Sequence, residues 1–288
     1  MKKRTKFILM IFIILVILPL GFSTLREALT PAVGIVQIEG PIEDSLEYLD
    51  IIRDFQKDDR IRAVILRIDS PGGMVGPSQE IHEAVKRLRE KKPVLVSMGS
   101  VGASGAYYIA CAADAVYALS GTMTGSIGVV MEFFDVSGGL SKLGIAAESI
   151  TGGEFKDAGS PFKPLTETER RHFKDMARDV HDQFKEAVAE GRGISSELVD
   201  EYADGRVFTG RQALSAGLID RLGGLDAVIE DARQRAGIEG EPRIVWGRPD
   251  QGYWSNLLDA AASLVPLSTG KAAGSRSPAA YRLEYSIR

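Results

Sequence analysis

Ser104 stands in the run VGASGAYYIA at 101–110, where a strand-like stretch gives way to a helix-like one between Gly102 and Gly105. A hydroxyl at such a junction is either a nucleophile or a small residue at a tight turn, and a bare G-x-S pattern does not decide. Amide cleavage by a serine requires a base, an oxyanion site and a substrate held in register. The chain has three histidines, His82, His172 and His181, all within amphipathic helical patterns and none between 83 and 171, so nothing recommends a histidine base. Lys156, in ITGGEFKDAGSPFKP at 150–164, follows a glycine pair and precedes Gly159 and Pro161, which is loop chemistry after the strand-like AAESI. Its alternative reading is an ordinary solvated lysine. A lysine serves as a base only when neutral, and shifting its pKa from ~10.4 to near 7 corresponds to roughly 4 kcal/mol of bias against the ammonium, which desolvation can supply. A hydroxyl can orient such an amine, and Ser126 in TMTGSIGVV is the candidate, or else a turn serine opening a strand. In RIDSPGGMV at 67–75, Gly72 and Gly73 follow an apolar strand. The N–H of one of them, with that of Gly105, can form an anion-attracting nest.

The elements that must position these groups alternate along the chain. Strand patterns fall at 32–40, 62–69, 93–99, 114–120 and 126–133, and helical patterns at 45–58, 78–91 and 104–113. Near-continuous apolar strands between amphipathic helices imply an α/β domain with mainly parallel strands. A long helix is expected from about Thr166 to Gly191, with TETE at its amino end supplying a cap and negative charge. Its apolar stripe of Phe173, Met176, Val180, Phe184, Ala187 and Val188 suits a core or a subunit contact. Beyond it come three short helical patterns separated by glycine turns, and from about Asp259 an Ala/Ser/Gly/Pro-rich tail.

The 288 residues are 44% hydrophobic and 26% charged, ordinary globular composition that excludes disordered and fibrous classes. Net charge is −4, with four of the positive charges (Lys2, Lys3, Arg4 and Lys6) in the first six residues, so the remainder is acidic and nucleic acid is a poor partner. One cysteine, Cys111, excludes an intrachain disulfide and a cysteine zinc site. The basic residues precede the uncharged run Phe7 to Phe22. Continued to Leu25, a helix there is about 28 Å long, close to the hydrocarbon thickness of a bilayer. No A-x-A-like site comes after it, so 7–25 reads as an uncleaved transmembrane signal anchor behind a cytoplasmic segment 1–6, with a cleaved signal peptide as the alternative.

Four ordered motifs, DSPGG at 69–73, GASGAYYIA at 102–110, TGSIGVV at 124–130 and GGEFKDAGSPFKPLTE at 152–167, resemble those of the signal peptide peptidase A family in its short, single-domain bacterial form. DGRVFTGRQALSAGLID at 204–220 is similar to that family too. The resemblance covers 32–238 and leaves 239–288 as a C-terminal extension, flexible in part. It implies a Clp protease/crotonase-like ββα spiral. It also implies a Ser–Lys dyad of Ser104 (nucleophile) and Lys156 (general base), with Ser126 orienting the lysine, oxyanion donors among Gly72, Gly73 and Gly105, and no metal or cofactor. The implied protein is a homo-octamer in the bacterial cytoplasmic membrane, its catalytic domain on the extracytoplasmic side and each site shared between neighbours. It would degrade signal peptide remnants and similar hydrophobic peptides. The alternatives are a membrane-protein quality-control protease and an inactive crotonase-like scaffold.

Overall fold

The computed structural model of the chain describes residues 30–247. The expected anchor at 7–25 and the tail from Asp259 lie outside the described residues. Among the described residues no helix is long and apolar enough to cross a membrane.

The core is an eight-stranded sheet ordered β6-β5-β3-β2-β1-β8, with β4 on β3 and β7 on β4. Its strands are β1 (Ala32–Glu39), β2 (Ile61–Ser70), β3 (Val94–Ala103), β4 (Ala115–Ala118), β5 (Met123–Gly125), β6 (Val207–Thr209), β7 (Arg221–Leu222) and β8 (Arg243–Trp246). Every pairing is parallel except β5 with β6. Parallel strands joined by crossover helices bury both sheet faces, which is why β1 to β3 read as near-continuous apolar runs. Along β2 the side chains alternate between two cores. Val64, Leu66 and Ile68 join the larger one. Ala63 and Ile65 join the smaller one, with Val228 and Ala232.

The helices are α1 (Leu46–Lys57), α2 (Val75–Arg89), α3 (Gly105–Ala110), α4 (Ser137–Lys142), α5 (Glu167–Arg192), α6 (Ser196–Tyr202), α7 (Gly210–Ser215) and α8 (Leu225–Arg235). Ile81, Val85 and Leu88 of α2 are fully buried, the face that their spacing predicts. The long helix α5 starts with a capping box: the Glu169 amide donates to Thr166 Oγ1 and the Glu169 carboxylate accepts from the Thr166 amide. It stops at Gly193, whose φ of 64° is left-handed. Only the carboxyl-terminal half of its stripe is core: Phe184, Ala187 and Val188 are buried, whereas Met176 is exposed.

Three differences from the sequence expectations have physical causes. The strand expected at 126–133 is absent. Strand β5 ends at Gly125, Ser126 takes a left-handed φ of 52°, and the chain beyond it pairs with no strand among the described residues. AAESI likewise forms no strand. Residues 243–246, assigned by sequence to the C-terminal extension, form β8, in parallel register with Ala32–Ile35 of β1.

Candidate active site

Strand β3 divides to reach the site. Leu95–Ser97 pair with β4, and Val101–Ala103 pair with β5. Between these segments the register against β2 passes from Ile68 opposite Met98 to Ser70 opposite Gly102, so β3 bulges. A bulge frees backbone groups that must find partners, and it re-aims the residues beyond it. Asp69 Oδ1 accepts the Val101 amide at 3.0 Å. Thr122 Oγ1 donates to the Gly99 carbonyl at 2.6 Å and Thr124 Oγ1 to that of Gly102 at 2.7 Å. These three polar side chains hold the end of the strand that carries Ser104. Sequence reasoning assigns them no role. Asp69 and Thr124 lie inside quoted motifs, and a polar residue ending a buried strand is the available signal.

Ser104 comes directly after β3 and caps α3 with φ 53° and ψ −126°. An L-residue in this region is strained by about 1–3 kcal/mol, and such strain is typical of a nucleophile turned out at a strand-to-helix junction. The surroundings impose it: the Ser104 amide donates to Gly125 O at 2.8 Å and its carbonyl accepts from the Tyr108 amide at 2.9 Å. The hydroxyl has no partner among the described residues. Ser126 is one residue beyond that Gly125 carbonyl, its own amide donating to Arg206 O at 2.9 Å. Two non-glycine residues among those described have positive φ, and they are Ser104 and Ser126.

The glycines close on Ser104 from β2. A methyl carbon on Gly72, where φ is 94°, would lie 2.6 Å from the Gly105 nitrogen and 2.9 Å from Ser104 Cβ. One on Gly105 would lie 3.3 Å from the Gly73 nitrogen. Gly72, Gly73, Ser104 and Gly105 are therefore one constellation. Their amides differ in commitment. Gly72 N–H donates to Ser70 Oγ at 3.1 Å. The Gly73 and Gly105 amides have no acceptor among the described residues. The bridge between Gly73 and Ile42 uses other groups, with Ile42 N–H donating to Gly72 O at 3.0 Å and Met74 N–H to Ile42 O at 2.8 Å. Gly105 opens α3, where an amide has no intrahelical acceptor.

A cavity of about 120 Å³ opens beside Ser104, lined by Val75, Ser78 and Gln79 of α2, Tyr108 of α3, Val130, and Val180 and Phe184 of α5, together with Gly73, Ser104 and Gly105. Ser78 is a second hydroxyl here, committed to the Met74 carbonyl at 2.8 Å. Behind the wall, His82 lies against Tyr108 with ring centroids 4.6 Å apart, and Tyr108 lies edge-on to Phe184 at 5.2 Å. His82 is thus buried, and burial lowers its pKa. Burial raises that of Tyr108.

Lys156 is not among the residues lining this cavity. It sits exposed in the turn region after Gly153, its amide donating to Gly153 O at 3.1 Å. Its ammonium has no partner among the described residues. The other lysine of the loop, Lys163, is held by Glu169 at 2.8 Å and Asp157 at 2.9 Å. Those hydrogen bonds, Glu169 first, raise its pKa. Of the two loop lysines, only Lys156 is unengaged. Cys111 is fully buried, and the buried thiol is pushed up to about 12. No cluster of three or more His, Cys, Asp or Glu side chains able to hold a metal occurs among the described residues.

Residues 86–239 match the profile of peptidase family S49, and residues 30–125 that of Clp protease. Ser104, Gly105 and Ser126 fall in the first match with Lys156, and Gly72 and Gly73 in the second. A putative protease of Methanocaldococcus jannaschii is 36% identical over 203 residues, 70% of this chain and 65% of that protein. A putative protease of Synechocystis is 45% identical over 174 residues, 60% of this chain and 61% of that protein. A putative signal peptide peptidase of Enterococcus faecium is 30% identical over 212 residues, 73% of this chain and 62% of that protein. The chain covers less than two thirds of the length of each of these relatives.

Proposed function

The chain belongs to peptidase family S49, and from this premise we propose that it is a serine endopeptidase with a Ser104–Lys156 dyad. Ser104 attacks the scissile carbonyl while neutral Lys156 takes its proton, and Ser126 orients the amine. The tetrahedral oxyanion is held by the amides of Gly73 and Gly105. The ammonium then protonates the leaving amine, and water releases the acyl group. Gly72 shapes this cradle rather than donating, because its N–H is already bonded to Ser70. The observation that carries the proposal is the strained, unpartnered Ser104 lining one cavity with two residues, Gly73 and Gly105, whose amides are unclaimed.

Lys156 is supplied by a neighbouring subunit in this reading. It lies in the stretch from Val130 to Phe162, which is unusually apolar on its surface: Val130 is 79% exposed, Phe134 74%, Leu143 75% and Ile150 95%. So much exposed apolar surface on a single chain favours an assembly that covers it. We take that assembly to be a homo-octamer, tethered by residues 7–25 to the bacterial cytoplasmic membrane with the domain of 32–238 outside. The substrates are apolar peptides such as signal peptide remnants in the same membrane. Mixing inactive Ser104→Ala protein with inactive Lys156→Ala protein tests the sharing. Recovered peptide cleavage is the expected result; none, where wild-type subunits exchange under the same conditions, rejects a shared site.

A further inference from the structure

The loop that carries Lys156 is pinned to α5 on both sides of that residue. On the amino side, the Phe155 ring lies against His172 with centroids 5.1 Å apart. On the carboxyl side, Asp157 Oδ1 accepts from Lys163 Nζ at 2.9 Å, and the same ammonium donates to Glu169 Oε1 at 2.8 Å. Glu169 and His172 are three positions apart, so they are neighbours on one face of α5. Glu169 is buried and already fixed, because its Oε2 accepts from the Thr166 amide at 2.9 Å in the capping box. Between the anchors the chain turns tightly: Ala158 N–H donates to Phe155 O and Ser160 N–H to Asp157 O, both at 3.1 Å. Gly159, at φ 77°, closes on Phe133, where an added methyl carbon would lie 2.7 Å from the ring, and Phe133 lies on Phe173 of α5 at 4.4 Å. The amino-terminal half of α5, whose apolar stripe is not core, thus carries this loop, and Lys156 stands between two tethered neighbours.

We propose that Asp157 and Lys163 are positioning residues that clamp the backbone of Lys156 to the capped end of α5, so that its amine is offered to Ser104 of a neighbouring subunit from a fixed base. The inference rests on the peptidase reading above and deepens it. A lysine side chain is long and rotamer-rich, so an amine on a mobile loop would rarely meet the hydroxyl in a productive geometry. Tethering the residues that flank it removes the backbone's share of that freedom. The two lysines of the loop then have opposite tasks. Lys163 is charged and bonded to two carboxylates, which suits it to hold the loop. Lys156 makes no such bond among the described residues, which leaves its amine free to exchange a proton.

The test measures kcat, KM and Tm for cleavage of an apolar peptide by full-length wild type, Asp157→Ala and Lys163→Arg. Asp157→Ala leaves the Lys163–Glu169 bond and the cap of α5 in place, so Tm should change little. Its kcat should fall about 10- to 100-fold with KM nearly unchanged, the signature of a misplaced reacting group. Lys163→Arg keeps a cation able to bridge both carboxylates and should retain most of the activity. Complementation then assigns the effect to a subunit. Asp157→Ala placed on the Ser104→Ala chain, which supplies Lys156, should depress the activity recovered with Lys156→Ala chains by the same factor. Placed on the Lys156→Ala chain, which supplies Ser104, it should leave that activity unchanged. A merely structural role would depress both mixtures equally, and that outcome overturns the inference, as does Asp157→Ala with wild-type kcat. The peptidase reading fails separately, if Ser104→Ala alone retains turnover. If the parent mixture recovers nothing, sharing of the site is rejected and the kcat of uniform Asp157→Ala protein decides the clamp.

Discussion

Gly73→Ala puts the oxyanion cradle under a perturbation whose size can be worked from the coordinates. The new methyl carbon would stand 2.1 Å from the Ile42 carbonyl oxygen, 2.6 Å from its nitrogen and 2.7 Å from its carbonyl carbon. All three are backbone atoms, so no side chain can rotate away. The 72–74 segment must move outward, and the two hydrogen bonds that fix it, Ile42 N–H to Gly72 O and Met74 N–H to Ile42 O, must lengthen. Overpacking of this kind destabilises a fold by about 1–3 kcal/mol. The effect on catalysis is the larger one. Displacing one oxyanion donor typically costs ~2.7–4 kcal/mol of barrier, a loss of about 100- to 1000-fold in kcat. Gly76→Ala is the matched control: it lies one turn further on in α2, nothing stands within 4 Å of the new carbon, and it should be neutral or slightly stabilising. Gly105→Ala should fall between, since its nearest obstacle is the rotatable Ser78 hydroxyl at 2.4 Å. The assay pairs steady-state cleavage of an apolar peptide with urea unfolding of each variant. Gly73→Ala protein that is folded and retains wild-type kcat would refute the assignment of the cradle.

Ser104→Ala and Ser104→Gly should both be inactive, yet the glycine variant should be the more stable by about 1–2 kcal/mol, because it alone relieves the left-handed backbone at φ 53°; equal urea midpoints would contradict the strain. Lys156→Met and Lys156→Arg should each abolish turnover without lowering Tm, since the ammonium makes no bond among the described residues and a guanidinium cannot serve as a neutral base. Lys163→Met should lower Tm while leaving measurable activity, because it strips the partner from buried Glu169. Cys111 should resist thiol reagents at pH 8 until the protein is unfolded. Its pKa is raised in the fold, from 9.0 to about 12, so the native state binds the proton more tightly than the unfolded chain. This contribution to stability is therefore fully present below about pH 9 and is lost as pH rises towards 12, and Cys111→Ala should remove it from the alkaline limb of a stability–pH curve.

The proximity of the candidate residues was legible because small and hydroxylic residues at the end of buried strands are a local pattern. Ser104, Gly105, Gly72 and Gly73 needed only the strand-turn-helix order to be placed together. Which of Gly72 and Gly73 keeps an unclaimed amide was not legible, because it depends on Ser70 Oγ capturing one of them, a side-chain bond that spacing does not encode. The bulge in β3 is hidden for the same reason: Gly99 to Val101 look like continuing strand, and their partners Asp69, Thr122 and Thr124 come from other segments. The stretch at 126–133 has strand composition without a strand partner, so period alone misassigns it. Burial of His82 is hidden because a histidine on an apolar helix face looks the same in sequence whether water or Tyr108 lies against it. The Lys156 assignment rests on a loop motif, and the single chain leaves that ammonium outside the cavity.

In the proposed mechanism Ser104 becomes covalently acylated. The most direct measurement is peptide mapping by mass spectrometry of enzyme quenched during turnover of a slow ester substrate carrying an aliphatic acyl group. One adduct is expected, of the acyl mass, on the peptide containing Ser104 and absent from Ser104→Ala protein. An adduct on another residue, or ester turnover that persists in Ser104→Ala, would contradict that mechanism.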